Sequence, residues 1–240
     1  MKNWETKKGG RVYRVLTGRS NAYLISTRAG DCLVDTGASI SCEKLARNVR
    51  RCSGTAPAPD LLILTHTHFD HCRSAKSIQE KYGCRIAVSA LAAGSTANGY
   101  TRIPGGTGLF TNLLSEIGRA IGGSMLGYPP FHPDILLGDG ADGQFLDGRI
   151  RILPTPGHSA DSLSILLDEE IALVGDAMIG VFPTSIIVPF ADDIPEVINS
   201  WKKLLDTGCS TFLPGHGTEV GRYLLEKEYT SYALKYPPAR

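Results

Sequence analysis

Short apolar runs alternate with segments of helical periodicity along most of the chain, and this alternation predicts an α/β architecture. Arg11 to Leu16, Ala22 to Ser26 and Cys32 to Asp35 read as three strands, parted by the turn residues of Thr17-Gly18-Arg19-Ser20-Asn21 and Ala29-Gly30-Asp31. Asp35-Thr36-Gly37 closes the third strand, and Ser39 or Ser41 is positioned to cap a helix reaching about Arg51. Leu61 to Thr65 is continuously apolar up to its last residue, the pattern of a strand covered on both faces. A helix from about Cys72 to Tyr82 and a strand Arg85 to Ser89 follow. The second half alternates in the same way, with strands near Ile150 to Pro154, Ser162 to Leu167 and Ile171 to Val174, a helix near Ile194 to Leu205, a strand Thr211 to Leu213 and a last helix from about Val220 to Lys235.

Residues 92–145 break the pattern with many glycines, with Pro104, Pro129, Pro130 and Pro133, and with few strand signals, so they read as an insert in one domain spanning 1–240. Within the insert, Leu109, Leu113, Ile117 and Ile121 recur at four-residue spacing beside Phe110, Leu114 and Met125, which predicts an apolar helix near 108–126. Such a stripe ordinarily packs on a core; the sharper reading is a lid or wall over a substrate pocket.

Composition narrows the classes. With 42% hydrophobic and 20% charged residues, 240 residues suffice to bury roughly 70% of the unfolded chain's surface. The 25 Lys and Arg against 24 Asp and Glu leave a net charge of +1, which argues against nucleic acid and against a polybasic membrane binder. No run approaches a spanning helix and the opening MKNWETKKGG is not a signal peptide, so the expectation is a cytoplasmic protein with a small-molecule substrate and no membrane partner. Oligomeric state stays open, with a dimer one option. Six cysteines lie far apart with no C-x-x-C pair and read as reduced, mostly buried thiols.

The histidines change the picture. His66-Thr67-His68-Phe69-Asp70-His71 sets three imidazoles and a carboxylate directly after a buried strand, an arrangement too costly in desolvation unless something pairs those groups. Neutral imidazole and carboxylate suit zinc, iron or manganese. In an extended segment His66 and His68 point to one side, while Asp70 and His71 fall where the chain enters a helix, so two pairs of candidate ligands face two neighbouring metals. His158 in Thr155-Pro156-Gly157-His158-Ser159, Asp176 in Val174-Gly175-Asp176 and His216 in Pro214-Gly215-His216-Gly217 each follow an apolar strand and adjoin glycine. Cys72 is expected to fill space below the site, and His132 to be a loop residue without a role.

Thr65 to His71, followed in order by His158, Asp176 and His216 and preceded by Asp35-Thr36-Gly37, resembles the metallo-beta-lactamase superfamily over the whole chain except the insert. The resemblance implies a four-layer αββα sandwich of two similar halves with metals between the sheet edges. It implies two divalent metal ions, zinc first with iron or manganese as alternatives: His66, His68 and His158 on one, Asp70, His71 and His216 on the other, and Asp176 bridging. Such a pair generates hydroxide at neutral pH and polarises a carbonyl. Asp70 is then also the catalytic candidate, orienting the hydroxide or passing a proton to the leaving group, and Asp35 supports the ligands from behind. The hydroxyacylglutathione hydrolase (glyoxalase II) branch is the closest general likeness, but only 24 residues follow His216, too few for that branch's glutathione-binding helical region. The expected reaction is therefore hydrolysis of a small ester, thioester or lactone. The alternative is a mononuclear iron sulfur (persulfide) dioxygenase, with a nuclease of the same superfamily a weaker third.

Overall fold

The computed structural model describes residues 1–53, 58–121, 123–138 and 144–236. The elements run β1 (Asn3–Glu5), β2 (Arg11–Leu16), β3 (Ala22–Thr27), β4 (Gly30–Val34), α1 (Glu43–Cys52), β5 (Leu61–Ile63), α2 (Phe69–Cys72), α3 (Ala75–Tyr82), β6 (Arg85–Ser89), α4 (Ala93–Asn98), α5 (Leu109–Ile121), α6 (Gly123–Leu126), β7 (Ile135–Leu137), β8 (Gln144–Phe145), β9 (Ile150–Pro154), β10 (Leu163–Leu167), β11 (Ile171–Gly175), α7 (Ile194–Leu205), β12 (Thr211–Pro214), β13 (Val220–Gly221) and α8 (Arg222–Ala233). A seven-stranded sheet takes β1 to β7 in sequence order, antiparallel as far as β4 and parallel from β4 to β7. A six-stranded sheet has the order β13-β12-β11-β10-β9-β8, with β11 and β12 parallel and the remaining pairs antiparallel.

The period-2 alternation of each strand explains the layering. Ile25, Val34, Ile63, Ile165 and Leu173 point between the sheets into one shared core. Their neighbours Leu24, Leu33, Leu62 and Ile86 face outward onto Leu45, Val49 and Ile78 of α1 and α3. On the far side Leu166, Ala172, Val174 and Phe212 meet Val197, Trp201 and Leu225 of α7 and α8. Strands covered on both faces need apolar residues at successive positions, which is why β5 and β11 read as unbroken runs and β10 is interrupted only by Ser164. The result is the expected αββα sandwich.

Several local expectations are corrected. No serine side chain caps α1: its N-cap is Cys42, and Ser41 Oγ reaches the Glu43 N–H only at 3.5 Å. The single helix expected over Cys72 to Tyr82 is two helices. The Thr36 N–H and hydroxyl both donate to the His71 carbonyl, at 2.6 and 3.0 Å, and so occupy the acceptor that a continuous helix would give to Ala75. Val220 and Gly221 pair with β12 instead of opening the last helix. The insert supplies an edge strand to each sheet, β7 beside β6 and β8 beside β9, neither of which is announced by its short sequence. The expected link over Thr55 to Asp60 and the insert near 139–143 fall partly outside the described residues.

The largest departure concerns α5. The core-packing expectation for its stripe fails: Leu109, Phe110, Leu113, Leu114 and Ile117 are all exposed.

Candidate metal centre

Every sequence-predicted site residue stands in the segment that follows a strand, Asp70 and His71 in the short helix α2 after β5. β4 delivers Asp35, β5 the segment His66 to His71, β9 the turn carrying His158, β11 Asp176 and β12 His216. The turns must be glycine where they close on the site. A Cβ on Gly215 would lie 2.4 Å from His71 Cε1 and 2.5 Å from Asp176 Oδ1, and one on Gly175 would lie 2.6 Å from the Thr65 side chain.

Three groups of donor atoms form, each within 4.8 Å of its own members: His66, His68 and His158; His66, His71 and Asp176; and Asp70, His71 and His216. Asp176 joins the sets, with His71 Nε2 at 3.4 Å, His158 Nε2 at 3.6 Å and His216 Nε2 at 3.2 Å from its carboxylate.

Hydrogen bonding outside the cluster assigns the tautomers inside it. His158 Nδ1 donates to the Phe190 carbonyl at 2.8 Å, so its Nε2 carries a lone pair. His68 Nε2 donates to the Arg102 carbonyl at 3.1 Å, so its Nδ1 does the same. Those two bare nitrogens face each other at 2.9 Å. Thr65 Oγ1 donates to Asp35 at 2.8 Å and therefore accepts from His66 Nδ1 at 3.1 Å, which leaves His66 Nε2 bare, buried and without a hydrogen-bond partner among the described residues. Asp176 Oδ1 is likewise buried with no hydrogen bond. Converging lone pairs repel unless positive charge lies among them, so the donor set fits divalent metal.

The electrostatics agree. Burial and the neighbouring imidazoles hold His66 well below the usual histidine value, and burial first of all lowers His158 to about 4, so both are neutral as ligation requires. Burial also lowers His68. His71 goes the other way: burial disfavours its cation, but Asp176 and Asp35 outweigh that and push it up to about 10. His216 is raised in the same manner, chiefly by Asp176 against burial. The carboxylates thus draw positive charge onto this half of the cluster.

Asp35 binds from behind. It accepts from the Thr65 N–H at 2.8 Å, the Thr65 hydroxyl at 2.8 Å and His71 Nδ1 at 2.9 Å, fixing the start and end of the histidine segment. Cys72 lies in the outer-face core with its Sγ turned to the Thr67 carbonyl, as a space-filling residue should. His132 is exposed. All six cysteines are free.

The sequence reading missed Asp161. This buried carboxylate accepts from the Thr67 N–H at 2.9 Å, the Thr67 hydroxyl at 2.7 Å and the Ser159 hydroxyl at 2.6 Å, joining the His66–His68 segment to the turn of His158. Since Thr67 donates to Asp161, it accepts from Thr101, which accepts from Tyr128, each at 2.9 Å, so the relay continues into the insert. An acid three residues after His158 was the available signal. Arg19, which lines the cavity above this cluster 3.9 Å from Asp70, was also missed, since a lone arginine in a turn gives no signal.

The cluster opens into a cavity of about 670 Å³ whose floor holds His68, His158, Asp70, Asp176 and His216. Its walls are apolar, with Leu114, Ile117 and Met125 on the side of the insert and Ile179, Phe182 and Phe190 from the loop after β11.

An αββα sandwich with joined His/Asp groups at its strand ends defines a class of proteins built to hold metal between two sheet edges. The chain belongs to one family of that class, the metallo-beta-lactamase superfamily, whose family model matches residues 15–216. Among curated proteins it is 25% identical over 219 residues to the beta-lactamase-like protein 2 homolog of Caenorhabditis elegans, covering 90% of this chain and 62% of that one. It is 25% identical over 229 residues to the acyl-coenzyme A thioesterase MBLAC2 of Gallus gallus, covering 90% of this chain and 79% of that one. A solved metallo-beta-lactamase of Cronobacter sakazakii superposes with a TM-score of 0.67 at 18% identity, covering 98% of this chain and 93% of that one. The chain spans less than two thirds of the length of the first such curated relatives, 62% for those of C. elegans and Drosophila melanogaster.

Proposed function

We propose that the chain is a metal-dependent hydrolase that cleaves an ester, thioester or lactone whose acyl part is apolar. The observation that carries this reading is the convergence of bare imidazole nitrogens on the floor of an apolar cavity. In this reading His66, His68 and His158 would hold one divalent ion and Asp70, His71 and His216 a second, with Asp176 the carboxylate available to both and zinc the first candidate. Two such ions would supply a deprotonated water at neutral pH and polarise the substrate carbonyl. The chain's own residues do the rest. Burial keeps His66 and His158 neutral, Asp35 locks Thr65 and His71, and the apolar walls exclude water from the scissile bond. Asp70, 3.7 Å from His216 Nε2 at the cavity floor, is the candidate to carry a proton to the leaving group. The thioesterase name of the Gallus gallus relative supports a thioester as the first substrate to try. The Asp70–His71–His216 group supports two metals over the single iron of a sulfur dioxygenase.

The test is a panel of acyl thioesters, lactones and β-lactams with the metal-loaded protein, with oxygen uptake recorded beside hydrolysis. The expected result is turnover of an apolar acyl thioester or ester without oxygen consumption; oxygen uptake with thiol substrates would contradict it.

A further inference from the structure

Helix α5 packs with its sides exchanged. Its inward edge is polar or small: Ser115 is buried and donates to the Pro104 carbonyl at 2.6 Å, and Arg119 Nε donates to the Ile103 carbonyl at 3.0 Å. Gly118 lies so near Ile103 that a Cβ would meet its Cδ1 at 2.9 Å. Its outward edge carries Leu109, 94% exposed, Phe110, 72%, and Leu113, 58%. Leu114, Ile117 and Met125 are exposed and also line the cavity, so one apolar surface runs from the outside of the helix to the wall above the His/Asp cluster. An apolar surface of this extent at a cavity mouth marks an interaction site.

Two arginines stand beside the same mouth. Arg19, which lines the cavity with 65% of its side chain exposed, lies 4.7 Å over the Phe69 ring. Arg73, half-buried with its Nε out of solvent, lies 5.7 Å from the same ring and donates through a terminal nitrogen to the Met125 carbonyl at 3.2 Å. Asp70, the acid near Arg19 at 3.9 Å, is recessed, and no carboxylate pairs with Arg73 among the described residues. The helix's acid, Glu116, is held by Arg119 at 2.8 Å.

We propose that this mouth docks onto an anionic lipid surface, with Leu109, Phe110 and Leu113 among the acyl chains and Arg19 and Arg73 at the headgroups. Apolar side chains beside guanidinium groups complement the two layers of such a surface. A second copy packed face to face would close both mouths, whereas a lipid surface leaves an acyl chain a path along α5 into the cavity. Docking of this kind needs neither a spanning helix nor a basic chain. It departs from the sequence expectation of no membrane partner, which rested on those two features. The strength belongs near that of a single lipid anchor, an association constant of about 10⁴ M⁻¹.

The experiment is cosedimentation of the purified chain with vesicles of phosphatidylcholine, alone or mixed with phosphatidylserine. The chain should pellet with mixed vesicles at millimolar lipid and bind neutral ones roughly thirtyfold more weakly, the factor supplied by two arginines near an anionic surface. Leu109→Asp with Phe110→Asp should abolish pelleting, and Arg19→Gln should weaken it roughly fivefold. Tyr223→Asp, at an exposed aromatic on α8, should change nothing. Circular dichroism confirms that each variant is folded. A chain that stays in the supernatant, that binds neutral and anionic vesicles equally, or that forms a dimer split by Leu109→Asp with Phe110→Asp overturns the proposal. Sedimentation requires no turnover, so the result stands apart from the hydrolase reading.

Discussion

Asp35 and Asp161 show how much of the cluster's geometry depends on residues behind it. Asp35 makes three hydrogen bonds to Thr65 and His71, so Asp35→Ala should leave the sandwich folded yet weaken metal affinity by about 10 to 100-fold, measured by competition with a chromophoric chelator. Asp161→Ala strands the buried N–H of Thr67 and should cost about 1 to 3 kcal/mol in urea unfolding, with Asp161→Asn recovering part of it. A third carboxylate tests acid stability away from the centre. Burial alone would raise the Asp168 pKa, but hydrogen bonds from Arg149 and Thr6 outweigh burial and the net shift is downward. Stability from this group is therefore complete above the unfolded value near 4 and disappears as pH falls through the lower folded value. Urea titrations at falling pH should show Asp168→Asn destabilised at pH 7 and level with the wild type once the carboxylate is protonated. At this scale the proposed ligands were legible because imidazole and carboxylate are too costly to gather without a partner. Asp161 and Arg19 were not, since an ordinary polar residue acquires meaning only from what folding brings beside it.

At the scale of elements, strands were legible where burial on both faces demands apolar residues at successive positions, as in β5, β10 and β11. Elements were illegible where tertiary contacts decide. Thr36 breaks the α2–α3 segment through the His71 carbonyl, and β7 and β8 exist because they have neighbours to pair with. Periodicity found the helix α5 but not the direction of its apolar side, because a stripe records amphipathicity and says nothing of what it faces. This difference is measurable. Leu113→Ala should change unfolding free energy by no more than about 0.5 kcal/mol, as at an exposed site, whereas a core-packed leucine would cost about 2 to 5 kcal/mol. Gly215→Ala should by contrast be disruptive, since its Cβ would strike His71 and Asp176; loss of bound metal by elemental analysis is the expected outcome.

For the whole molecule, the sandwich gathers residues from Asp35 to His216 onto one edge because each strand exit points the same way. The net charge of +1 is an average over the whole surface, and the proposed lipid docking rests instead on how arginine and leucine are distributed around the mouth. If metal joins loops from both sheets, stripping it with a chelator should lower the melting temperature, and restoring zinc should raise it in proportion to free metal. The most direct test of the account is metal content per chain, by inductively coupled plasma mass spectrometry on protein loaded with zinc and freed of excess. Close to two equivalents are expected, falling to about one in His158→Ala and in His216→Ala, each still folded. A wild-type chain that binds no metal, or variants that keep the full complement, would contradict it.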